Sequence, residues 1–115
     1  MDIRPVTPGH LLVVPIVHGP YLSDLDPAVG GTLFSMAQRL AGAARRSSLK
    51  AEGINLFLAD GEVAGQEVFH VHLHVLPRFR GDGFGLKFPP DYGRQAERSR
   101  LDEDAAAITK ALKTA

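Results

Sequence analysis

The stretch Gly65-Gln66-Glu67-Val68-Phe69-His70-Val71-His72-Leu73-His74-Val75-Leu76-Pro77-Arg78 decides the fold of this 115-residue chain. Three of the chain's five histidines alternate here with apolar residues at a strict period of two. Successive side chains of a β-strand point to opposite faces, so the pattern predicts a strand with its histidines on one face. The other face, which would lie against a hydrophobic core, carries residues that favour strands: Phe69, Val71, Leu73 and Val75.

Three interpretations of this row of imidazoles are open. It is a solvated strand face, or a metal site, or a catalytic histidine whose neighbours bind substrate and set its tautomer. Zinc needs tetrahedral ligands at about 2.0–2.2 Å, whereas His70 and His74 would lie roughly 13 Å apart along a strand. The chain has no cysteine, and His10 and His18 are distant in sequence. Imidazole can act as nucleophile, acid or base near neutral pH, so we favour catalysis and expect neither a metal nor a cofactor.

The same residues resemble the motif of the histidine triad (HIT) superfamily, chiefly of bacterial type. The resemblance extends to the segment from Asp2 to Pro15, to Asp60-Gly61 and to the run from Gly81 to Gly85, and it covers about residues 1–88. It implies an α+β fold that consists of an antiparallel β-sheet and one long helix. It also implies that two copies of the protein form a dimer. Family members usually carry a further segment before the position of Asp2, and we expect this chain to lack it.

The resemblance also implies an activity. HIT proteins cleave nucleoside phosphates at the α-phosphorus through a nucleotidyl-histidine intermediate, and the middle histidine of the motif, here His72, is the nucleophile. His70 would belong to the network that orients His72. His74 would contact the phosphate and help to protonate the departing group.

The turn before the triad is the expected phosphate site. Gly65 permits a tight backbone approach, the backbone N–H groups of Gly65, Gln66, Glu67 and Val68 can form an anion-binding concavity, and Gln66 adds a side-chain amide. The alternative is an ordinary turn before a strand. Some HIT branches carry Ser or Thr at the position of Glu67; a carboxylate repels phosphate, so we expect this side chain to point away.

Two further positions come from the resemblance. Asp2 matches the residue that accepts hydrogen bonds from the ribose hydroxyls, the alternative being a frayed N-terminal acid. Ala59 stands where the family usually has Asn or Gln, and losing one preorganised donor can lower a rate by about 10²–10³. A protein that binds nucleotide with little turnover is therefore the second functional hypothesis.

Composition narrows the possible partners. Thirteen basic residues balance thirteen acidic ones, which gives no support to nucleic-acid binding. No apolar run reaches the length of a membrane span, and no signal peptide opens the sequence, so we expect a soluble cytoplasmic protein that does not bind membranes. The expected partners are a small nucleotide substrate and a second copy of the chain.

The remaining elements are predicted from spacing. His10–Val17 reads as a strand. Asp26 before Pro27 begins a helix that runs to about Ser48, with a buried face formed by Val29, Leu33, Met36, Leu40 and Ala44. Alternating Ile54, Leu56 and Leu58 predict a strand antiparallel to the triad strand. We expect a HIT domain over residues 1–90 and a charged, then Ala-rich tail over residues 91–115, helical through Leu101, Ala105, Ile108 and Leu112.

Overall fold

The computed structural model describes residues 1–114. Three strands and two helices follow one another along the chain, namely β1 (Leu11–Val13), α1 (Pro27–Arg46), β2 (Gly53–Phe57), β3 (Leu73–Arg78) and α2 (Arg98–Lys113). Single 3₁₀ turns lie at Leu22–Asp24 and at Glu62–Ala64. The chain divides into two compact units, Met1–Phe84 and a second unit that begins at Gly85. No helix among residues 1–114 is long and apolar enough to cross a membrane.

The sheet is antiparallel, and β3 is its central strand. Its order is β1-β3-β2, so the pairing of β2 with β3 that the sequence predicts is confirmed. His74 on β3 pairs with Leu12 on β1 and with Phe57 on β2. This register places His74 in the middle of the sheet, between its two neighbouring strands.

Neither strand that was predicted to carry histidines covers its expected range. β1 covers only Leu11–Val13 of the expected range His10–Val17, and the chain leaves the sheet before Pro15, which has no N–H for a ladder. β3 begins at Leu73, so of the three triad histidines only His74 lies in a regular strand. The N–H of Val71 instead donates to the carbonyl of Gly19, at 2.8 Å, outside the sheet.

The buried face of the triad segment largely follows the predicted alternation. Val71, Leu73 and Val75 are buried and join the core cluster, which is completed by Val13, Leu33 and Ala37. Phe69 was expected in this core, but 47% of its surface is exposed. The reason is its place before the strand, where the chain bends and the alternation of a strand no longer applies.

α1 begins as the sequence predicts and ends slightly earlier. The carboxylate of Asp26 accepts the N–H of Ala28 at 2.8 Å, and Pro27 takes the first helical position. The helix stops at Arg46, before the expected Ser48. Its buried residues are Leu33, Ala37 and Ala44, whereas Met36, expected in the core, is 38% exposed.

The second unit contains α2, which lies within the tail for which a helix is expected. Its residues are all exposed over the described part, and Arg98–Asp102 and Arg100–Asp104 form ion pairs one helical turn apart. The predicted boundary at residue 90 falls within this unit, whose first residue is Gly85.

Candidate functional site

All five histidines of the chain gather in two contacting groups. The ring centroid of His74 lies 5.0 Å from that of His10 and 5.0 Å from that of His72, and the rings of His18 and His70 are 5.3 Å apart. Their distance in sequence from the triad was one of the reasons against a metal site, but the fold brings His10 and His18 into contact with the triad. His10 directly precedes β1 and His18 follows it, so the pairing of β1 with β3 brings both to the triad. The pairing of β1 with β3 is the feature from which the contacts of His10 and His18 with the triad could have been predicted.

His72 has a tautomer that its hydrogen bond determines. Its Nδ1 atom lies 2.8 Å from the backbone carbonyl oxygen of His70. A carbonyl can only accept, so in the neutral ring Nδ1 carries the proton and Nε2 carries a lone pair. The hydrogen bond thus leaves Nε2 of His72 unprotonated, with its lone pair free.

His70 is held at both ring nitrogens. Its Nε2 donates to the carbonyl of Pro15 at 2.8 Å, so its Nδ1 is the acceptor of the neutral ring. The Nδ1 of His18 lies 3.2 Å from this acceptor and is the donor of the pair. These bonds fix the orientation of the His70 side chain, whose own backbone carbonyl holds His72.

The hydrogen bonds of His10 and His74 also define which ring nitrogen carries the proton in each residue. The backbone N–H of Val6 donates to Nδ1 of His10 at 3.2 Å, so the proton of that ring is on Nε2. Nε2 of His10 lies 2.8 Å from Nδ1 of His74 and donates to it. The proton of neutral His74 is therefore on Nε2, which makes this atom a hydrogen-bond donor.

The environment of His74 favours its neutral form. Burial lowers the pKa of His74, and the neighbouring rings of His72 and His10 lower it further, against a smaller opposing effect of the Asp2 carboxylate. The proton order agrees with this direction, because a second proton on Nδ1 of His74 would face the N–H of His10.

Asp2 is fixed beside this pair rather than frayed. Its backbone N–H donates to the carbonyl of His10 at 3.0 Å, and its carboxylate accepts the N–H of Arg4 at 2.8 Å. The other carboxylate oxygen lies 3.7 Å from Nε2 of His10. The sequence-predicted Asp2 and His74 are thus brought together, with the buried His10 between them.

Asp2, His10 and His74 also offer donor atoms that all lie within 4.8 Å of one another, a set that suits zinc by residue type. The hydrogen bonds do not suit it. A ligating ring usually donates its second N–H to an acceptor, whereas here Nδ1 of His10 receives the N–H of Val6 and the proton occupies Nε2, the atom that would bind the ion. The cluster fits an ordered hydrogen-bond chain rather than a metal centre.

The turn before the triad is held together by the buried side chain of Gln66. Its Oε1 accepts the N–H of Gly61 at 2.8 Å, and its Nε2 donates to the carbonyls of Pro20 and Val68 at 2.6 and 3.1 Å. Both amide hydrogens are engaged inside the protein, so this side chain shapes the turn and does not offer a free donor to a phosphate.

The backbone of the turn leaves two donors open. Gly65 is in the left-handed region at φ 98°, which favours glycine, and its N–H donates to the carbonyl of Glu62. The N–H of Gln66 donates to the carbonyl of Gly61. Within residues 1–114, the N–H groups of Glu67 and Val68 make no hydrogen bond.

The turn borders a pocket of about 430 Å³, whose lining residues are Glu62, Gly65, Gln66, Glu67 and Phe69. The ring of Phe69 meets that of Tyr21 edge-on, with centroids 6.4 Å apart.

Ala59 is buried, with 6% of its surface exposed, so a methyl group occupies the position at which the sequence resemblance leads one to expect an amide.

Comparison with known proteins gives a consistent set of similarities. The HIT domain family matches residues 1–81. An uncharacterised HIT-like protein of Borreliella burgdorferi is 43% identical over 76% of this chain, which spans 63% of that protein's length. An uncharacterised HIT-like protein of Mycobacterium tuberculosis is 41% identical over 93% of this chain and 80% of its own length.

Solved structures are similar over nearly the whole chain. A zinc-bound histidine triad family protein from Mycobacterium smegmatis is 42% identical, with a TM-score of 0.71, over 97% of this chain and 78% of that one.

Two more distant relatives carry the names of enzymes. They are an adenylylsulfatase of Arabidopsis thaliana, 32% identical over 71% of this chain and 41% of its own length, and an asymmetrical bis(5′-nucleosyl)-tetraphosphatase of Schizosaccharomyces pombe, 35% identical over 71% and 44%.

Proposed function

Because this chain belongs to the HIT domain family, we propose that it is a nucleotide hydrolase that works through a nucleotidyl-histidine intermediate. The substrate is a nucleoside phosphoramidate or a dinucleoside polyphosphate, cleaved at the α-phosphorus. The observation that carries the proposal is the hydrogen bond from Nδ1 of His72 to the carbonyl of His70, because it leaves the lone pair of Nε2 available for attack.

The first step is a displacement at phosphorus. Nε2 of His72 forms a bond to the α-phosphorus, and the bond from phosphorus to the leaving group breaks, its electron pair departing with that group. Covalent catalysis of this kind divides one difficult displacement into two easier ones. In the second step water attacks the phosphorus, the electron pair of the P–N bond returns to Nε2, and one proton of the water passes to solvent.

Negative charge on the phosphate oxygens is met by donors of the protein. The candidates are the N–H groups of Glu67 and Val68 and the Nε2–H of His74, since none of these donors makes a hydrogen bond within residues 1–114. With its lowered pKa, His74 acts here as a neutral donor rather than as a strong acid. Each such donor contributes roughly 10²–10³ to the rate.

Asp2 completes the nucleotide site by accepting hydrogen bonds from the ribose hydroxyls. The support is positional: its carboxylate lies 3.7 Å from His10, which in turn touches His74, so ribose and phosphate would lie side by side. The bond from Asp2 N–H to the carbonyl of His10 keeps the carboxylate in place.

A second candidate function is nucleotide binding with little turnover. The buried methyl of Ala59 favours it, because an amide in that place would add a donor near the phosphate. Either function suits a homodimer. An apolar surface suited to a second copy includes Ile16, 102% exposed, and Val17, 66% exposed, and it lines a pocket of about 320 Å³ with Met36 of α1.

The deciding experiment mixes the protein, with and without EDTA, with an adenosine phosphoramidate and with diadenosine polyphosphates. We expect AMP release that survives EDTA and disappears in His72→Ala. If no substrate yields AMP but the protein still binds nucleotide, the hydrolase proposal is wrong and the second candidate function, nucleotide binding with little turnover, takes its place.

A further inference from the structure

Phe57 is the last residue of β2, and its side chain lies on the same face of the sheet as that of His74. The two residues are partners in the antiparallel pairing of β2 with β3, and directly opposed side chains of such a pair lie close together on one face. Their ring centroids are 5.8 Å apart, with the ring planes at 57° to one another. The phenyl ring therefore lies against the imidazole.

Core packing does not account for the place of Phe57. The residues of β3 that face the core are Leu73 and Val75, which alternate with His74 along the strand. Phe57 lies on the opposite face, outside the core cluster, and 44% of its surface is exposed. Among residues 1–114 it is the one phenylalanine whose ring contacts a histidine. The contact with His74 is thus the specific feature of this ring.

The groups that influence the charge of His74 are His72 and His10, whose rings lie 5.0 Å from it, and the carboxylate of Asp2. The largest cause of the lowered pKa of His74 is nevertheless desolvation. Desolvation results from protein atoms that take the place of water beside the imidazole, and apolar atoms leave the charged form without compensation.

The two strands that flank His74 supply such apolar atoms. His74 pairs with Leu12 on β1 and with Phe57 on β2, and neither strand contains a titratable residue. The phenyl ring is the larger of the two side chains and contacts the imidazole. On the side of β2, the ring of Phe57 therefore covers His74 with apolar surface and adds no charge.

We infer that Phe57 is a positioning residue of the proposed reaction, because its ring keeps water away from His74 and so holds the single proton of that imidazole on Nε2. The inference rests on the proposed function, to which it adds a residue. A second proton would enter at Nδ1 of His74, where it would face the N–H of His10 and break the hydrogen bond between the two rings. His74 would then no longer be held as a neutral donor toward the phosphate.

The test measures the protonation of His74 directly, by NMR titration of its ring nitrogens in the full chain. Phe57→Thr keeps a residue that suits a strand but removes the ring, so water reaches the imidazole. The titration midpoint of His74 should then rise toward the ordinary pKa of about 6.5. Phe57→Leu keeps an apolar cover and should stay close to the wild type. Phe34→Thr is the matched control, since it removes an exposed phenyl ring from α1 and should leave the midpoint unchanged.

Activity should report the same change. At pH 8 His74 is neutral in the wild type and in the variant, whereas at pH 5.5 the variant protonates a larger fraction of it. The kcat/KM of Phe57→Thr for an adenosine phosphoramidate, relative to the wild type, should therefore be about threefold lower at pH 5.5 than at pH 8. A loss that is equal at all pH values would reveal a merely structural residue and overturn the inference.

An unchanged midpoint of His74 in folded Phe57→Thr would also overturn the inference. If that variant does not fold, the wild type decides: a nuclear Overhauser effect between the ring protons of Phe57 and His74 supports the inference, and its absence overturns it. The NMR measurements need no substrate. A protein that releases no AMP would therefore contradict the proposed function, while the titration still decides whether Phe57 controls the protonation of His74.

Discussion

Nδ1 of His72 lies 2.8 Å from the carbonyl oxygen of His70, so one triad residue sets the tautomer of the next through its backbone. Replacing the His70 side chain leaves that carbonyl in place, whereas replacing His72 removes the ring that we propose as the nucleophile. The two substitutions should therefore differ in severity.

His72→Ala should lower kcat/KM for an adenosine phosphoramidate by about 10³-fold or more, because no other group replaces the nucleophile. Rapid acid quenching followed by mass spectrometry should detect a nucleotidyl adduct on the wild type and none on the variant. His70→Asn should keep the adduct and reduce the rate less. An adduct that persists in His72→Ala would show that another atom attacks.

His10 is a buried residue that positions His74. His10→Phe removes the donor to Nδ1 of His74, so the proton of His74 is free to move from Nε2 to Nδ1, and we expect kcat to fall by about 10²-fold. His10→Gln, which can still donate, should recover part of the rate. Nitrogen NMR shifts of His74 report the tautomer directly, and an unchanged tautomer in His10→Phe would contradict this role.

The lowered pKa of His74 makes stability depend on pH in a defined direction. Between its folded pKa and the unfolded value of about 6.5, the unfolded chain binds more protons, so the free energy of unfolding rises with pH. It should fall as the pH drops below about 6.5 and stop changing on this account below the folded pKa. Urea unfolding from pH 5 to 8 measures this slope.

His74→Asn should flatten that slope relative to the wild type. His18→Asn serves as the comparison, since it removes an exposed ring from the other histidine pair. A slope unchanged in His74→Asn would assign the pH dependence to other groups.

Gln66 is expected to stabilise the fold in addition to shaping the turn that is proposed to bind the phosphate. Gln66→Ala removes three hydrogen bonds and leaves Gly61, Pro20 and Val68 without their partner, at a cost of about 2–4 kcal/mol in unfolding free energy. Gln66→Glu should be worse, because an oxygen would then face two carbonyls. The exposed Gln38→Ala should stay within about 0.5 kcal/mol of the wild type.

A dimer through the exposed apolar surface should be sensitive to charge. Ile16→Asp should shift the mass seen by light scattering toward the 12.4 kDa monomer, because the new carboxylate would be buried in the contact. Val63→Asp, at a fully exposed position on the turn, should leave the mass unchanged. A wild type that is monomeric at all concentrations would contradict the dimer.

Much of the fold follows from local patterns. The cap at Asp26 and the helix after it are visible in the sequence because each depends on neighbouring residues. The antiparallel pairing of β2 with β3 is visible because the two strands follow one another along the chain. The ends of β1 and β3 are not visible in this way. The N–H of Val71 donates to the carbonyl of Gly19, which is distant in sequence. This bond keeps Val71 out of β3, although the alternation of apolar residues and histidines extends to residues before the strand.

The site is predictable to a similar extent. The triad and Asp2 follow from the motif and from the resemblance. His10 and His18 do not, because their contacts depend on the register of β1 against β3. The side chain of Gln66 could not be assigned either, since an amide is equally suited to hold a phosphate or a carbonyl, and only its burial at 3% exposure decides.

The contact between His10 and His74 joins residues 64 positions apart, and that between His18 and His70 joins residues 52 apart. Neither pair can form until the chain has closed loops of that length, a step whose entropic cost precedes any reward from the contacts. During refolding, helix signal should therefore appear before nucleotide binding, which reports the complete topology of the chain rather than any local segment of it.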